Sequence, residues 1–194
     1  MKLAIYDFDG TYISKQTLPI LYQLWKEKKL NPKLRNKIWR HVIIRYIFYK
    51  LKLFGWTKRK FNPYSMRKTI NLFRSVSKKE LQQFLNDYYI HLQQYIFEPM
   101  KKQLAKDKAD GYYTVLLSGN LDIILEPFKA EGFDVVFGSK AMKDHQLLNP
   151  DEIEIYIEDK KRDVILNQFP NANLSESKAY ADNGYDIALL EIVG

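Results

Sequence analysis

Leu3-Ala4-Ile5-Tyr6-Asp7-Phe8-Asp9-Gly10-Thr11 is the stretch from which the rest of the chain can be read. Four successive apolar residues without alternation predict a strand buried on both faces, the pattern of a parallel sheet. The run ends in a polar cluster at Asp7, and open parallel sheets bind their ligands outside the carboxyl ends of the strands. Two carboxylates two residues apart therefore stand where a ligand would sit. One suits nucleophilic attack and the other proton transfer, while Gly10 lets the backbone approach a bound group closely. Taken alone, Asp-x-Asp-Gly-Thr also suits a solvated turn, so the decision rests on the segments around it.

Downstream the pattern changes period. From Thr17 to Phe97 the apolar spacing is helical: Leu21, Leu24 and Trp25, then Ile38, Val42, Tyr46 and Phe48, then Leu81, Phe84, Leu85, Tyr88 and Leu92. Ser77 and Glu80 have capping-box spacing for the last of these helices, and Gly55 is placed to close the long aromatic one. Strand-like runs resume at Tyr113 to Leu117, Asp134 to Phe137, Ile153 to Ile157 and Ala179 to Ala181. Helical stretches at Met100–Ala109, Leu121–Ala130, Arg162–Gln168 and Tyr185–Ile192 lie between most of them. That alternation predicts a parallel α/β sheet, with the alternating 153–157 run as a half-exposed strand or small antiparallel flap.

Charge marks the same division. The net charge is +8 over 194 residues, yet residues 13–98 hold 19 Lys/Arg against 4 Asp/Glu and the remainder 12 against 19. We expect one core built from 1–12 and 99–194, interrupted by a basic helical insert over 13–98. With no cysteine, disulfides, thiolate metal sites and cysteine-nucleophile chemistry are excluded. Only four apolar residues precede Asp7, too few for a secretory signal, and a cytoplasmic location is the expectation. The apolar stretch Val42 to Trp56 is broken by Arg45, Lys50 and Lys52, so it does not read as a membrane span.

Two later segments combine with the first. Val115-Leu116-Leu117-Ser118-Gly119-Asn120 is a strand ending in a hydroxyl, and Ala179-Tyr180-Ala181-Asp182-Asn183-Gly184-Tyr185-Asp186 is a strand ending in spaced carboxylates. Together with Asp7-Phe8-Asp9-Gly10-Thr11 they resemble, in order, motifs of the haloacid dehalogenase superfamily. The resemblance covers both flanks of the insert. It implies a Rossmann-like three-layer α/β sandwich with a helical cap inserted after the first strand, as in the subgroup containing the phosphoserine phosphatases.

The resemblance also implies roles. Asp7 would be the nucleophile that forms an aspartyl-phosphate, and Asp9 the acid and base. Gly10, Thr11, Ser118, Gly119, Asn120 and Lys160 would lie against the phosphoryl group. Lys161, favoured over Lys160 by its spacing to Val164 and Ile165, would neutralise charge, and Mg²⁺ would be held by Asp7, Asp9 and Asp182 with support from Asp186. Carboxylate oxygens suit that hard cation. The expected substrate is a small phosphomonoester, and the presence of Asp9 argues for phosphoester over carbon–halogen cleavage.

Two departures stand out. Phosphoserine phosphatases carry a glutamate where this chain has Gln16, which argues against phosphoserine, and the family usually continues with a further strand past the equivalent of Val193-Gly194, so either the sheet edge or the chain is shortened there. No Gly-rich P-loop, Gly-x-Ser-x-Gly elbow or paired-histidine zinc motif is present, and His41, His91 and His145 read as structural. The basic insert, with Trp39, Tyr46, Tyr49 and Trp56 among its cations, leaves two further partners open. These are nucleic acid, with catalysis vestigial, and an anionic membrane surface.

Overall fold

The computed structural model describes all residues from Met1 to Gly194 except His145 and Asn183, with Tyr185 described by its backbone alone. The N-terminal run forms β1 (Leu3–Tyr6), every side chain of which is fully buried. β2 (Tyr113–Leu121) and β6 (Lys178–Tyr180) pair with it in parallel on either side, and β3 (Val135–Ser139) pairs in parallel with β2. The sheet order is β3-β2-β1-β6, with Tyr6 opposite both Leu116 and Tyr180. Parallel neighbours on both edges and cover on both faces account for the unbroken apolar run.

The chain divides into two compact units: Met1–Thr17 with Tyr89–Lys140 and Glu154–Gly194, and Leu18–Tyr88 with Ala141–Ile153. The insert expected over 13–98 overlaps the second unit without coinciding with it.

In the first unit, Leu3, Ile5, Val115 and Leu117 on one face of the sheet pack with Ile165 of helix α7 (Asp159–Gln168) and Leu189 of α8 (Ile187–Leu190). On the other face Tyr6 meets Phe133 edge-on at 5.5 Å and Tyr180 at 4.7 Å. There, Asp107 of α5 (Glu98–Ala109) is fully buried and accepts from the hydroxyls of Tyr6 (2.6 Å) and Tyr180 (2.8 Å), Gln103 Nε2 (3.0 Å) and Lys178 Nζ (3.1 Å). Burial pushes this carboxyl up, but its four donors outweigh that and hold it below the usual range. The network ties β1 to β6 one residue before Asp7.

Three local expectations need correction. β2 runs past the expected Leu117 to Leu121, so Ser118, Gly119 and Asn120 lie within the strand and the next helix starts only at Asp122. The helix expected over 121–130 breaks into α6 (Asp122–Leu125) and a 3-10 stretch, Glu126–Glu131, where Pro127 has no N–H to continue the α-helical ladder although Glu126 keeps a helical backbone. Residues 153–157 form no strand. Only Glu154 bridges to Lys140, and the Tyr156 N–H goes to Ser139 Oγ at 3.0 Å.

The second unit is built on helices α1 (Thr17–Glu27), α2 (Pro32–Lys50), α3 (Lys58–Phe73) and α4 (Lys78–Leu92). Trp25, fully buried, stacks on Phe73 at 5.8 Å and meets Phe84 at 4.6 Å. The predicted capping box is present: Ser77 N–H donates to Glu80 Oε2 (2.9 Å) and Glu80 N–H to Ser77 Oγ (3.3 Å). The antiparallel hairpin falls at β4 (Met142–Lys143) and β5 (Gln146–Leu147). Arginines of α3 hold it, Arg74 Nη1 donating to the Leu147 carbonyl at 3.1 Å and Arg67 Nε to that of Pro150 at 3.1 Å.

Gly55 does not close α2. That helix ends at Lys50 and reverses through left-handed Lys52 (φ 53°), with Phe54 (φ 52°) and Gly55 (φ 64°) left-handed in the next turn. Among the described residues no helix is long and apolar enough to cross a membrane. His145 lies outside the described residues.

Candidate active site

Everything assembled at the carboxyl end of β1 belongs to the first unit. Asp7 follows β1 directly, and its N–H donates to the Tyr180 carbonyl at 2.9 Å, fixing the exit of β1 against β6. The chain then turns tightly: Tyr12 N–H reaches the Asp7 carbonyl (3.2 Å), Ile13 N–H that of Phe8 (2.9 Å), and Gly10 N–H that of Ile13 (2.7 Å). Gly10 sits at φ +86°, and a Cβ placed on it would fall 2.2 Å from Asp182 Oδ2. Only glycine leaves room for that carboxylate. The loop after β1 and the loop after β6 thus meet with Asp182 against the Gly10 backbone.

Lys161 is the hub of the buried charge. It lies in the first turn of α7, is 5% exposed, and its ammonium donates to Asp7 Oδ1 at 2.7 Å and to Asp186 Oδ1 at 2.6 Å. Burial alone would pull its pKa down, but the two carboxylates reverse this and hold it above the ordinary lysine value. Asp7 responds in the opposite sense to its partner's help: burial pushes it up to about 6, with Lys161 offsetting part of the rise and Asp186 and Asp9 adding to it. Lys160, one residue earlier, is exposed on the same turn, so the structure brings Lys161 and not Lys160 to the carboxylates.

Asp9 points along the loop instead of into that triad. Its Oδ1 accepts the N–H of Thr17 at 2.6 Å. Burial raises its pKa even though Thr17 and Lys161 act to lower it and Asp182 acts to raise it further. Thr17 escaped the sequence reading, although a Thr at a helix start is a recognisable signal. It joins Asp9 to the second motif, because Asn120 Nδ2 donates to Thr17 Oγ1 at 2.8 Å.

Ser118, 2% exposed, follows the part of β2 paired with β1, and its Oγ accepts the Asn120 N–H at 3.1 Å. The Gly119 carbonyl accepts from Ser139 Oγ at 2.7 Å. Gly138 is a second requirement missed in the sequence: a Cβ there would lie 2.7 Å from the Asp122 N and 2.8 Å from the Asn120 carbonyl oxygen. Thr11 is buried and its Oγ1 has no hydrogen-bond partner among the described residues.

The expected metal residues are thus distributed unevenly. Asp7, Asp9 and Asp182 share the loop region, whereas Asp186 is committed to Lys161. Among the described residues no three His, Asp or Glu side chains form a ready-made metal cluster. Asn183, between Asp182 and the turn carrying Asp186, lies outside the described residues.

A model of the haloacid dehalogenase-like hydrolases matches residues 4–191. Solved structures are similar in fold. A Bordetella pertussis Tohama I protein of unknown function has a TM-score of 0.77 at 17% identity, over 99% of this chain and 86% of that one. A phosphoserine phosphohydrolase-like protein from Francisella tularensis has a TM-score of 0.60 at 19% identity, over 98% and 82%. A substrate-bound phosphoserine phosphatase complex has a TM-score of 0.60 at 20% identity, over 100% and 83%. No curated protein matches the chain.

Proposed function

The chain belongs to the haloacid dehalogenase-like hydrolases, and from that premise we propose that it is a magnesium-dependent phosphatase acting on a small phosphomonoester through Asp7. The observation that carries this reading is the buried Asp7–Lys161–Asp186 array with Asp182 lodged against Gly10.

Charge balance supports the metal. Asp7, Asp182 and Asp186 against the ammonium of Lys161 leave a surplus of negative charge beside buried groups, even with Asp9 protonated, which a divalent cation would relieve. The donors fit Mg²⁺: carboxylate oxygens of Asp7 and Asp182 with the Asp9 carbonyl make an all-oxygen set, and exposed Asp182 leaves room for the waters this ion retains. Bound there, Mg²⁺ would supply Lewis-acid neutralisation of the phosphoryl oxygens.

The chain's own residues divide the reaction. Lys161 holds Asp7 by one carboxylate oxygen, leaving the other to attack phosphorus in line. As the ester P–O bond breaks, Asp9 gives its proton to the departing alkoxide, a role its raised pKa favours. Asp9 then takes a proton from the water that attacks phosphorus, and inorganic phosphate leaves as the bond to Asp7 breaks. Ser118 and the N–H groups beside it would bind phosphoryl oxygens, with Gly10, Thr11, Gly119 and Asn120 shaping the same pocket. Lys160, being exposed, fits a supporting electrostatic part at most.

We further assign choice of the leaving group to the helical unit, as the family resemblance implies. Hydrolysis of phosphoserine, sugar phosphates, nucleotides and lipid phosphates, with and without magnesium, identifies the substrate class. Asp7→Asn should abolish turnover with an unchanged far-UV spectrum. Magnesium-dependent hydrolysis retained by that variant would overturn the assignment.

A further inference from the structure

Between Lys28 and Lys79 the chain carries 17 Lys/Arg and no Asp or Glu. Within this segment α2 turns Ile38 and Val42 inward but distributes its other residues unusually for a solvated helix. Arg35 is turned inward, 7% exposed, where its Nε and Nη2 donate to the Tyr22 carbonyl at 3.3 and 3.1 Å. Ile43, Ile44, Ile47 and Leu51 are turned outward. Their spacing puts them on one stripe, which continues past the helix end into Leu53 and Phe54. Seven of the exposed large apolar side chains among the described residues fall between Ile43 and Phe54, and the tip is the most open, with Leu51 at 63% and Phe54 at 78%. Left-handed backbone at Lys52 and Phe54 holds this tip in its turn at a conformational cost. Exposed Lys33, Lys37 and Arg40 lie toward the start of α2, and Lys50 and Lys52 flank the tip.

We propose that this end of the helical unit docks on an anionic lipid bilayer. Leu51, Leu53 and Phe54, followed by Ile47, Ile44 and Ile43, enter the headgroup boundary, and the lysines and Arg40 pair with lipid phosphates. Greasy side chains ringed by cations with no intervening anion are the complement of such a surface. The same charge sets copies of the chain against one another, which disfavours self-association through the patch.

Single-stranded nucleic acid would satisfy the cations but needs several free aromatic faces, and here Tyr46 and Phe54 are exposed while the other aromatics pack on one another. Trp39 packs on Tyr22 at 4.7 Å, Tyr49 stacks on Phe61 at 5.8 Å, and Trp56 meets Tyr64 at 5.6 Å. What remains open is mainly aliphatic. The inference is independent of the phosphatase reading, because it concerns binding through residues outside the catalytic machinery.

Co-sedimentation of the full chain with phosphatidylcholine vesicles, with and without phosphatidylserine, tests it at about 0.1 M salt, where surface charge still acts over ~10 Å. Binding should require phosphatidylserine. Leu51→Ser with Phe54→Ser should weaken partitioning at least ~tenfold. Lys50→Gln with Lys52→Gln should weaken it about fivefold per charge. Far-UV spectra should be unchanged in both variants, whose altered side chains are exposed. The proposal is overturned by absence of binding to phosphatidylserine vesicles, or by full binding of the serine variant. It is equally overturned if single-stranded oligonucleotide binds both wild type and serine variant while vesicles do not, or if the patch mediates a dimer that ignores vesicles.

Discussion

Replacing Gly10 with alanine probes the site at a single atom. The residue sits at φ +86°, where an L side chain costs roughly 1–2 kcal/mol. For a unit of this size that corresponds to a fall in Tm of roughly 2–8 °C. The new methyl carbon would stand 2.2 Å from Asp182 Oδ2 and 2.7 Å from its carboxyl carbon, whereas ordinary contact begins at 3.4 Å. The carboxylate must retreat by about 1 Å, a displacement that costs roughly a hundredfold in rate when it falls on a reacting centre. Steady-state hydrolysis of p-nitrophenyl phosphate across a magnesium titration is the assay. Gly10→Ala should lower kcat by about that factor and raise the magnesium concentration for half-saturation. Combined with Asp182→Ala it should add little, because the partner it displaces is already gone. A Gly10→Ala enzyme with unchanged kcat and magnesium dependence would refute the placement of Asp182 as a metal-binding group.

Three further outcomes follow from the buried charges. In metal-free protein the rise of Asp7 from its ordinary 3.8 to about 6 means that stability present below pH 4 is lost as pH climbs through 6. Asp7→Asn should therefore melt higher than wild type at pH 8, by up to roughly 3 kcal/mol, with the difference shrinking in acid; equal melting at pH 8 would contradict it. Lys161, raised above 10.5, contributes fully at neutral pH and loses its contribution only in strong base. Lys161→Met should cost about 3–5 kcal/mol at pH 7 by stranding two buried carboxylates, and denaturant unfolding at pH 5 should show part of that loss recovered as Asp7 protonates. Asp107, held low, stabilises above the ordinary carboxylate value and less as pH falls below it. Asp107→Leu should cost about 3 kcal/mol at pH 7 by orphaning the Tyr6 and Tyr180 hydroxyls, which urea denaturation would measure.

What could be read from the sequence was what local chemistry dictates. The apolar run before Asp7 had to be a doubly covered strand, and the glycine after Asp9 had to meet something closely. The helical spacing around Trp25 and Phe84 and the Ser77–Glu80 box are equally local, and they reappear as packed rings and paired donors. What escaped depends on distant partners. The 153–157 alternation looked like a strand, but Ser139 takes the Tyr156 N–H. The 141–153 segment groups with the helices because Arg67 and Arg74 reach it from more than seventy residues away. Asp186 reads as a support of the metal shell from its place in a motif, and its bond from Lys161 is visible only in the fold. Thr17 and Gly138 each act by touching a loop far off in sequence, which no periodicity announces.

The position of β1 inside the sheet has a consequence for synthesis on the ribosome. Its hydrogen-bonding neighbours begin at Tyr113 and Lys178, so the strand leaves the exit tunnel long before it has anything to pair with. Asp7 is translated 154 residues ahead of the ammonium that will clamp it. A nascent or prematurely released fragment lacking the later loops carries Asp7 without Lys161, and the carboxylate array is complete only when β6 pairs with β1 and brings Asp182 to Gly10.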